Sequence, residues 1–279
     1  MNSSNSGLHT SRLTLAWSYL LIVIVVFSSL APFIWVVSAA FDEKPQLWLT
    51  TPQFSLKNFV TFFSDEDGFN WLISSFVYAV GTLTLVIAAS ALGGYTLSRL
   101  DFWWKTPFLY FIILIRIIPK TVFIVPLFKL IKNLSLLDTY FSVILVDAAF
   151  ALPLALWIMK TFYDTIPIEL EEAAWIDGGS RLTSLIRVVL PLSAPGIAAI
   201  SVITFNAAWG TFLAPLIFIS SPSKMPLGLG IFRAYRNTYN VDYGFMAALA
   251  IIFIIPTVVL FIFCRRYLIR SFNIGGVQG

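Results

Sequence analysis

Charge is scarce in this sequence. Only 11% of its 279 residues are charged, whereas 58% are hydrophobic, and the mean hydropathy is +0.87. A soluble globular protein does not need so much apolar surface, so these values exclude that class and favour a protein with several membrane spans. The net charge of +4 is small and spread along the chain, without a dense run of Lys or Arg. This distribution argues against nucleic acid as a partner.

Cysteine and histidine are nearly absent as well. The single cysteine, Cys264, permits no disulfide within the chain and no thiolate metal cluster. The single histidine, His9, excludes a histidine-rich metal site and a conventional Ser-His-Asp triad. The sequence also lacks the phosphate-binding pattern G-x-x-x-x-G-K-[ST]. We therefore expect this chain to have no metal site, no bound cofactor and no ATPase site of its own.

Long apolar runs are what the sequence has in abundance. Six of them are long enough to cross a bilayer, and they cover residues 13–41, 71–98, 108–131, 140–159, 196–219 and 244–264. The first run is too long for a signal peptide and lacks a small-residue cleavage site, so it is predicted to be retained. The sequence predicts an all-α, polytopic membrane protein, with an N-terminal tail at 1–12, a six-span domain at 13–265 and a C-terminal tail at 266–279.

The loops between the spans differ in charge. Residues 42–70 are acidic, which favours the outer side of the membrane, and Arg99 and Lys105 flank a short loop that suits the cytoplasmic side. Residues 220–242 are basic. Placing this last loop outside conflicts with the positive-inside rule.

One polar segment interrupts the apolar runs. Residues 171–195 read EEAAWIDGGSRLTSLIRVVLPLSAP, and apolar residues at helical spacing predict two short helices, each with one buried face. Gly178 or Gly179 is expected to end the first helix with a positive φ. Ser180 is expected to cap the second helix, which should end near Pro191. The apolar residues expected on the buried faces include Ile176, Leu182, Leu185, Ile186 and Val189.

The spacing in this segment resembles the coupling loop of ABC-importer membrane subunits. The family pattern is Glu-Ala-Ala, three residues, Gly, nine residues, a β-branched apolar residue, one residue and Leu-Pro. Its residues here are Glu172, Ala173, Ala174, Gly178, Val188, Leu190 and Pro191, with Val188 in place of the usual Ile. The Asp177-Gly178 pair and the Pro-Leu-Ser-x-Pro ending resemble the carbohydrate-uptake class, so the chain is identified as similar to the MalG-like permeases.

This resemblance implies the type I importer (MetI-like) permease fold, in the bacterial inner membrane with both termini in the cytoplasm. It implies import of a sugar, which could be an oligosaccharide, a polyol or an acidic saccharide. The implied partners are a P-loop ATPase dimer that binds ATP-Mg, a second homologous permease, an extracytoplasmic solute-binding protein and membrane lipid. Within residues 161–195, which we call the coupling segment, the residues implied to contact the ATPase are Glu172, Ala173, Ala174, Asp177, Gly178 and Pro191.

The C-terminal tail is similar to the ending of the same family. Gln278 stands where the family usually has Lys. The resemblance implies that Gly275, Gly276 and Gln278 reach the ATPase interface.

Three charged residues lie well inside predicted spans, whereas a fourth, Lys129, lies two residues from the predicted end of the third span. Arg116 and Lys120 are four residues apart and are expected on one face of the third helix, which Pro119 can open locally. Asp147 lies in the fourth span. It could neutralise one cation as a structural ion pair, or the cations could line the substrate path. Both interpretations are open, and two cations against one acid leave a surplus positive charge.

Asn206 and Trp209 in the fifth span are the remaining candidates for the substrate path. An aromatic face and an amide suit a saccharide, but helix packing explains the same residues equally well. The family commonly has Trp-Asn here, and Gly210 replaces that Asn. Two alternatives to a sugar importer stay open: an ABC-importer subunit for a non-sugar solute, and a stand-alone secondary transporter that uses the charged residues of the spans.

Overall fold

The computed structural model describes residues 12–45, 53–237 and 242–275. These residues are helical, apart from turns and one isolated β-bridge between Asp42 and Phe54. The α-helices are α1 (Arg12–Ala40), α2 (Lys57–Ser64), α3 (Glu66–Arg99), α4 (Lys105–Leu114), α5 (Ile124–Asn133), α6 (Tyr140–Asp164), α7 (Glu169–Ile176), α8 (Arg181–Ser184), α9 (Leu190–Leu192), α10 (Ala194–Trp209), α11 (Leu213–Phe218), α12 (Leu227–Asn237) and α13 (Tyr243–Gly275). A π-turn at Leu185–Val189 joins α8 to α9, and 3-10 turns cover Ile115–Ile117, Lys120–Phe123 and Pro222–Lys224.

Four helices, α1, α3, α6 and α13, are each long and apolar enough to cross a membrane alone. Two further spans are bent pairs: Lys105–Ile117 with Lys120–Asn133 bends by 94°, and Arg181–Leu192 with Ala194–Trp209 bends by 76°. With each pair counted as one span, the described residues contain six spans. The prediction of an all-α, six-span membrane protein is confirmed.

The chain divides into two compact units. The first comprises Met1–Phe62 and Val241–Ile252, and the second comprises Phe63–Asn240 and Phe253–Gly279. The predicted division into tails at 1–12 and 266–279 and a domain at 13–265 is a different one, and it stays a prediction.

A small alanine contact holds the first unit together. Ala39 and Ala40 of α1 pack against Ala247 and Ala248 of α13. Beside them, the Asn58 amide donates hydrogen bonds of 3.1 and 2.9 Å to the carbonyl oxygens of Ala40 and Asp42. The start of α2 is thereby fixed to the end of α1.

Three helices, α3, α6 and α10, pack on one another and form the centre of the second unit. Small residues on α3 allow the close approach. A Cβ on Gly94 would lie 2.8 Å from Cβ of Met159 and 3.1 Å from the Lys160 backbone nitrogen. Substitution there would push α3 and α6 apart, as the small residues in the sequence predicted.

Several helix ends differ from the predicted span boundaries. The fifth span was expected to run through 196–219, but α10 ends at Trp209 and α11 starts at Leu213. The second span starts earlier than predicted, because Asp65 caps α3 by accepting from the Gly68 N–H. The last helix does not stop near Cys264 and continues to Gly275.

A charged contact links two loops at the end of α6 that lies away from the coupling segment. The Asp138 carboxylate accepts hydrogen bonds from the backbone N–H groups of Ser220 and Ser221, both at 3.0 Å, and from the Ser221 hydroxyl. Lys224 Nζ donates to the Asp138 carbonyl oxygen at 2.6 Å and lies 3.5 Å from its carboxylate. The hydrogen bonds from Ser221 lower the pKa of Asp138 to about 2.

Candidate functional site

The coupling segment contains α7, which carries the Glu-Ala-Ala pattern. Glu169, Glu171 and Glu172 lie in its first turn, where carboxylates interact favourably with the helix dipole. After α7 ends at Ile176, Gly178 has a φ of +87°. Because side chains other than that of glycine are strained at this φ, the structure confirms the predicted glycine turn.

The second half of the segment starts with the predicted cap. The Ser180 hydroxyl accepts from the Thr183 N–H at 3.2 Å. The chain then passes through the π-turn and stays helical to Leu192, next to the predicted end at Pro191. Pro191 has no N–H to donate, and it lies directly after the π-turn, where the regular α-helical hydrogen bonds are already interrupted.

The side chains of the family pattern lie on the exposed side of the segment. Ala174 is half-buried, and the exposed residues are Glu172, Ala173, Asp177, Gly178 and Pro191. Five of the six lie in α7 or in the glycine turn directly after it, and Pro191 lies beyond the π-turn. The structure therefore presents all six predicted coupling residues in a form that a partner protein could contact.

Three apolar side chains accompany them, and their predicted burial is wrong. Ile176, Leu182 and Ile186 are 86, 57 and 54% exposed, whereas Leu185 and Val189 are buried as expected. Leu182 and Ile186 are four residues apart, as are Leu185 and Val189, so the two pairs form neighbouring stripes of the helix and only the second stripe is buried. An apolar patch with a polar rim is typical of a protein–protein contact surface.

Glu171 is the residue that the sequence analysis missed. Its side chain is fully buried, and its two carboxylate oxygens accept from Arg99 Nε and from the Tyr95 hydroxyl, each at 2.6 Å. Arg99 Nη2 also donates to the Ile166 carbonyl oxygen at 2.8 Å. We call these contacts the α3–α7 link, because they join the end of α3 to the coupling segment. The spacing of Tyr95 and Arg99, four residues apart on one helix, was the signal available in the sequence.

The third span is broken, which corrects the prediction that Arg116 and Lys120 share one helical face. Ile118 is extended, as a residue before proline tends to be, and Pro119 follows it. The chain then turns by 94° into α5. Pro126 causes no break because it lies in the first turn of α5.

Both cations nevertheless line one cavity of about 160 Å³ between the broken span, α6 and α10. Lys120 Nζ lies 3.6 Å from the Asp147 carboxylate and 5.2 Å from the centre of the Phe150 ring. Arg116 has no ion pair with any residue that the structure describes. The α4 helix is roughly 15 Å long at 1.5 Å per residue, so Arg116 lies deep in the span.

Two buried polar atoms at this cavity lack a partner. Thr82 is 1% exposed and Asp147 is 6% exposed. Neither Thr82 Oγ1 nor Asp147 Oδ2 has a hydrogen-bond partner among the described residues. A buried polar group without a partner costs about 1–3 kcal/mol, so the cavity favours a polar occupant.

Asn206 and Trp209 lie outside the cavity. Trp209 is 1% exposed, stacks on Phe205 and donates from Nε1 to the Phe253 carbonyl oxygen at 2.8 Å. Asn206 is exposed on α10. Of the two open interpretations, this geometry favours helix packing for Trp209.

Of the three tail residues that were predicted to reach the ATPase interface, two lie outside the residues that the structure describes. Gly275 is the last residue of α13, and Gly276 and Gln278 are not described.

Among residues 12–45, 53–237 and 242–275, no group of three His, Cys, Asp or Glu side chains is arranged to hold a metal ion.

The coupling segment and the spans that pack around it fall within one family match. Residues 86–273 match the family described as "Binding-protein-dependent transport system inner membrane component". The chain belongs to this family. Its members are transport components, and the chain is a multi-pass membrane protein of the ABC-importer permease class.

Individual relatives extend the match to nearly the whole chain. The chain is 30% identical over 262 residues to the sulfoquinovosyl glycerol transport system permease protein SmoH of Agrobacterium fabrum, covering 92% of this chain and 91% of the relative. It is 28% identical over 265 residues to the trehalose/maltose transport system permease protein MalG of Thermococcus litoralis, covering 92 and 94%.

A solved structure gives the same fold. A chain of a bacterial ABC transporter involved in import of the acidic polysaccharide alginate aligns with a TM-score of 0.79 at 18% identity, over 93% of this chain and 98% of that chain. At this identity, the likeness establishes the type I importer permease fold alone.

Proposed function

We propose that this chain is one of two permease subunits of an ATP-driven, binding-protein-dependent importer that moves a sugar into the cytoplasm. The observation that carries the proposal is the coupling segment, which is firmly anchored on one side and exposed on the other. The family supports the transport role, and the names of the relatives SmoH and MalG support a sugar as the solute.

The anchored side suits the transmission of force. ATP-driven closure of the ATPase dimer would move α7, and the α3–α7 link would carry that movement into α3. Because α3 packs on α6 and α10, the movement would reach the cavity. We assign the binding of ATP-Mg to the partner ATPase, since the sequence of this chain has no phosphate loop.

The exposed cations support a second permease as partner. A cation at the centre of a lipid-facing helix costs about 2.5–3.5 kcal/mol on insertion scales. Lys120 is half-exposed and Arg116 is exposed on this chain, so we propose that this face meets protein or water. A homologous permease packed against it would enclose the cavity as a passage.

The proposed orientation places the coupling segment in the cytoplasm and the loop after α11 outside. Lys224 counts against this orientation under the positive-inside rule, and its contact with Asp138 offsets one of the positive charges. The solute-binding protein would then dock on the face of the membrane opposite the coupling segment.

Affinity purification of the tagged chain from gently solubilised membranes tests this proposal, with identification of the co-purifying proteins by mass. We expect a P-loop ATPase and a second permease. Ile176→Asp places a charge on the exposed patch and should abolish ATPase recovery while the second permease is retained. Leu134→Asp is the matched control, because Leu134 is 55% exposed beyond α5, away from the coupling segment. Recovery of the chain without an ATPase would contradict the proposal.

A further inference from the structure

Two cavities meet at the Lys120–Asp147 pair. The first, of about 160 Å³, extends along α6 and α10 toward the coupling segment as far as Ile158 and Ile200. The second, of about 250 Å³, extends the other way as far as Phe218. Lys120, Asp147, Phe150 and Ala207 line both cavities. The ion pair therefore lies between two adjoining cavities of the second unit, whose other lining residues are mostly apolar.

The charges at this junction do not balance. The first cavity is lined by Arg116, Lys120 and Asp147, and no other Asp or Glu lines either cavity. The pair holds Lys120 loosely, since 3.6 Å is longer than a hydrogen bond and the Lys120 side chain is 51% exposed. One positive charge remains, and Arg116 carries it deep in a span without an ion pair among the described residues.

Two buried polar atoms of residues that line the first cavity have no hydrogen-bond partner among the described residues. Asp147 Oδ2 can only accept, and the Thr82 hydroxyl can donate or accept. Sugar hydroxyls can satisfy both atoms, because a hydroxyl is a donor and an acceptor at once. A guanidinium group binds a planar or tetrahedral oxyanion through parallel N–H donors, which suits a carboxylate or a sulfonate.

We infer that the junction is an anion-binding saccharide subsite, in which Arg116 and Lys120 take the acidic group and Asp147 and Thr82 take sugar hydroxyls. The inference rests on the proposed function and narrows its substrate to acidic saccharides. In the structure Lys120 pairs with Asp147 between the two cavities. An incoming anion would draw Lys120 from Asp147, so the same step would join the two cavities and leave Asp147 for a hydroxyl.

The test uses the complete importer in proteoliposomes, with this chain, the second permease, the ATPase and the binding protein. Uptake is measured for three glycosides of glycerol that differ only at C6 of the sugar: sulfoquinovosyl glycerol, glucuronosyl glycerol and glucosyl glycerol. We expect ATP-dependent uptake of at least one acidic glycoside. A preference for the sulfonate or for the carboxylate would show which anion the subsite binds.

Arg116→Gln should lower kcat/KM for the acidic glycoside at least tenfold, and Arg116→Lys, which keeps the charge but loses the parallel N–H donors, should restore only part of it. Lys129→Gln is the matched control, because Lys129 is an exposed cation of α5 that lines neither cavity. Assembly of each complex and its ATPase activity show that the variants fold.

Three outcomes would overturn the inference. If the wild type imports only glucosyl glycerol with ATP, the proposed sugar importer stands and the anion subsite fails. The subsite also fails if Arg116→Gln imports the acidic glycoside within twofold of the wild type. Absence of ATP-dependent uptake for all three glycosides would count against the inference and the proposed function together.

Discussion

Two ion pairs of this chain differ in the distance between the charges, in burial and in hydrogen bonding. Arg99 and Glu171 of the α3–α7 link lie 2.6 Å apart, with side chains 13 and 0% exposed. Lys120 and Asp147 lie 3.6 Å apart, with side chains 51 and 6% exposed. The first carboxylate has a partner on each oxygen, whereas the second has one buried oxygen without a partner in the part of the chain that the structure describes.

The difference suits the two roles that we propose. A buried, fully hydrogen-bonded pair holds two elements in one geometry, because any separation leaves a charge without a partner in a dry place. A loose pair with one exposed member can exchange partners at low cost. The link would thus transmit movement, and the pair in the passage would respond to substrate.

The largest effect is expected when the tight pair is broken. Glu171→Ala leaves the Arg99 charge buried without its partner, which typically lowers the free energy of unfolding by about 3–5 kcal/mol. Thermal unfolding of the purified complex measures this change. Glu172→Ala is the control, since Glu172 is the exposed neighbour on the same helix. Equal melting temperatures for the two variants would show that the α3–α7 link does not stabilise the fold.

A smaller effect is expected at the turn of the coupling segment. Gly178→Val forces a β-branched residue to a φ of +87°, which costs about 1–2 kcal/mol and displaces α7 from α8. We expect ATPase activity to persist while sugar uptake falls at least tenfold. Gly228→Ala has equally open surroundings without a positive φ and should leave uptake unchanged. Normal uptake by Gly178→Val would contradict the proposed coupling role.

The Asp138 contact lies outside the spans and gives a reference value for the free energy of unfolding that one hydrogen-bonded carboxylate contributes. Asp138→Asn should lower the free energy of unfolding by about 1 kcal/mol, the typical value of a hydrogen bond. Because the folded pKa of about 2 lies below the ordinary 3.8, the stabilisation is complete above pH 3.8 and is lost as pH falls through about 2. Melting curves between pH 7 and pH 2 should therefore converge for the variant and the wild type. A constant difference down to pH 2 would contradict this assignment.

The smallest change in stability is expected at the loose pair. Asp147→Asn removes the charge that faces Lys120, but the half-exposed Lys120 can be hydrated, so we expect a change of about 0–1 kcal/mol. Thermal unfolding beside Glu171→Ala compares the two pairs directly. A loss as large as that of Glu171→Ala would mean that the pair in the passage is structural.

The sequence was sufficient for the features that depend on local chemistry. Apolar run length predicted the six spans, and the positive φ of Gly178 and the cap at Ser180 follow from residue types that favour those conformations. The family pattern located the coupling residues. Each of these signals lies within a few residues of the feature that it predicts.

Features that depend on tertiary contacts were missed or misplaced. The role of Glu171 depends on contacts with Tyr95 and Arg99, of which Arg99 is 72 residues away in the chain. The π-turn at Leu185–Val189 has no sequence signal that we can name. Arg116 and Lys120 were paired by helical periodicity, which fails where Pro119 breaks the span.

The most direct test of the importer is the ATP dependence of sugar uptake. Proteoliposomes that contain the complete importer and its binding protein are loaded with ATP or left without it, and accumulation of a radiolabelled saccharide is followed over time. We expect uptake only with ATP and only when the ATPase is present. Accumulation by this chain alone, without ATP, would contradict the importer and would assign the Lys120–Asp147 pair to a secondary transporter.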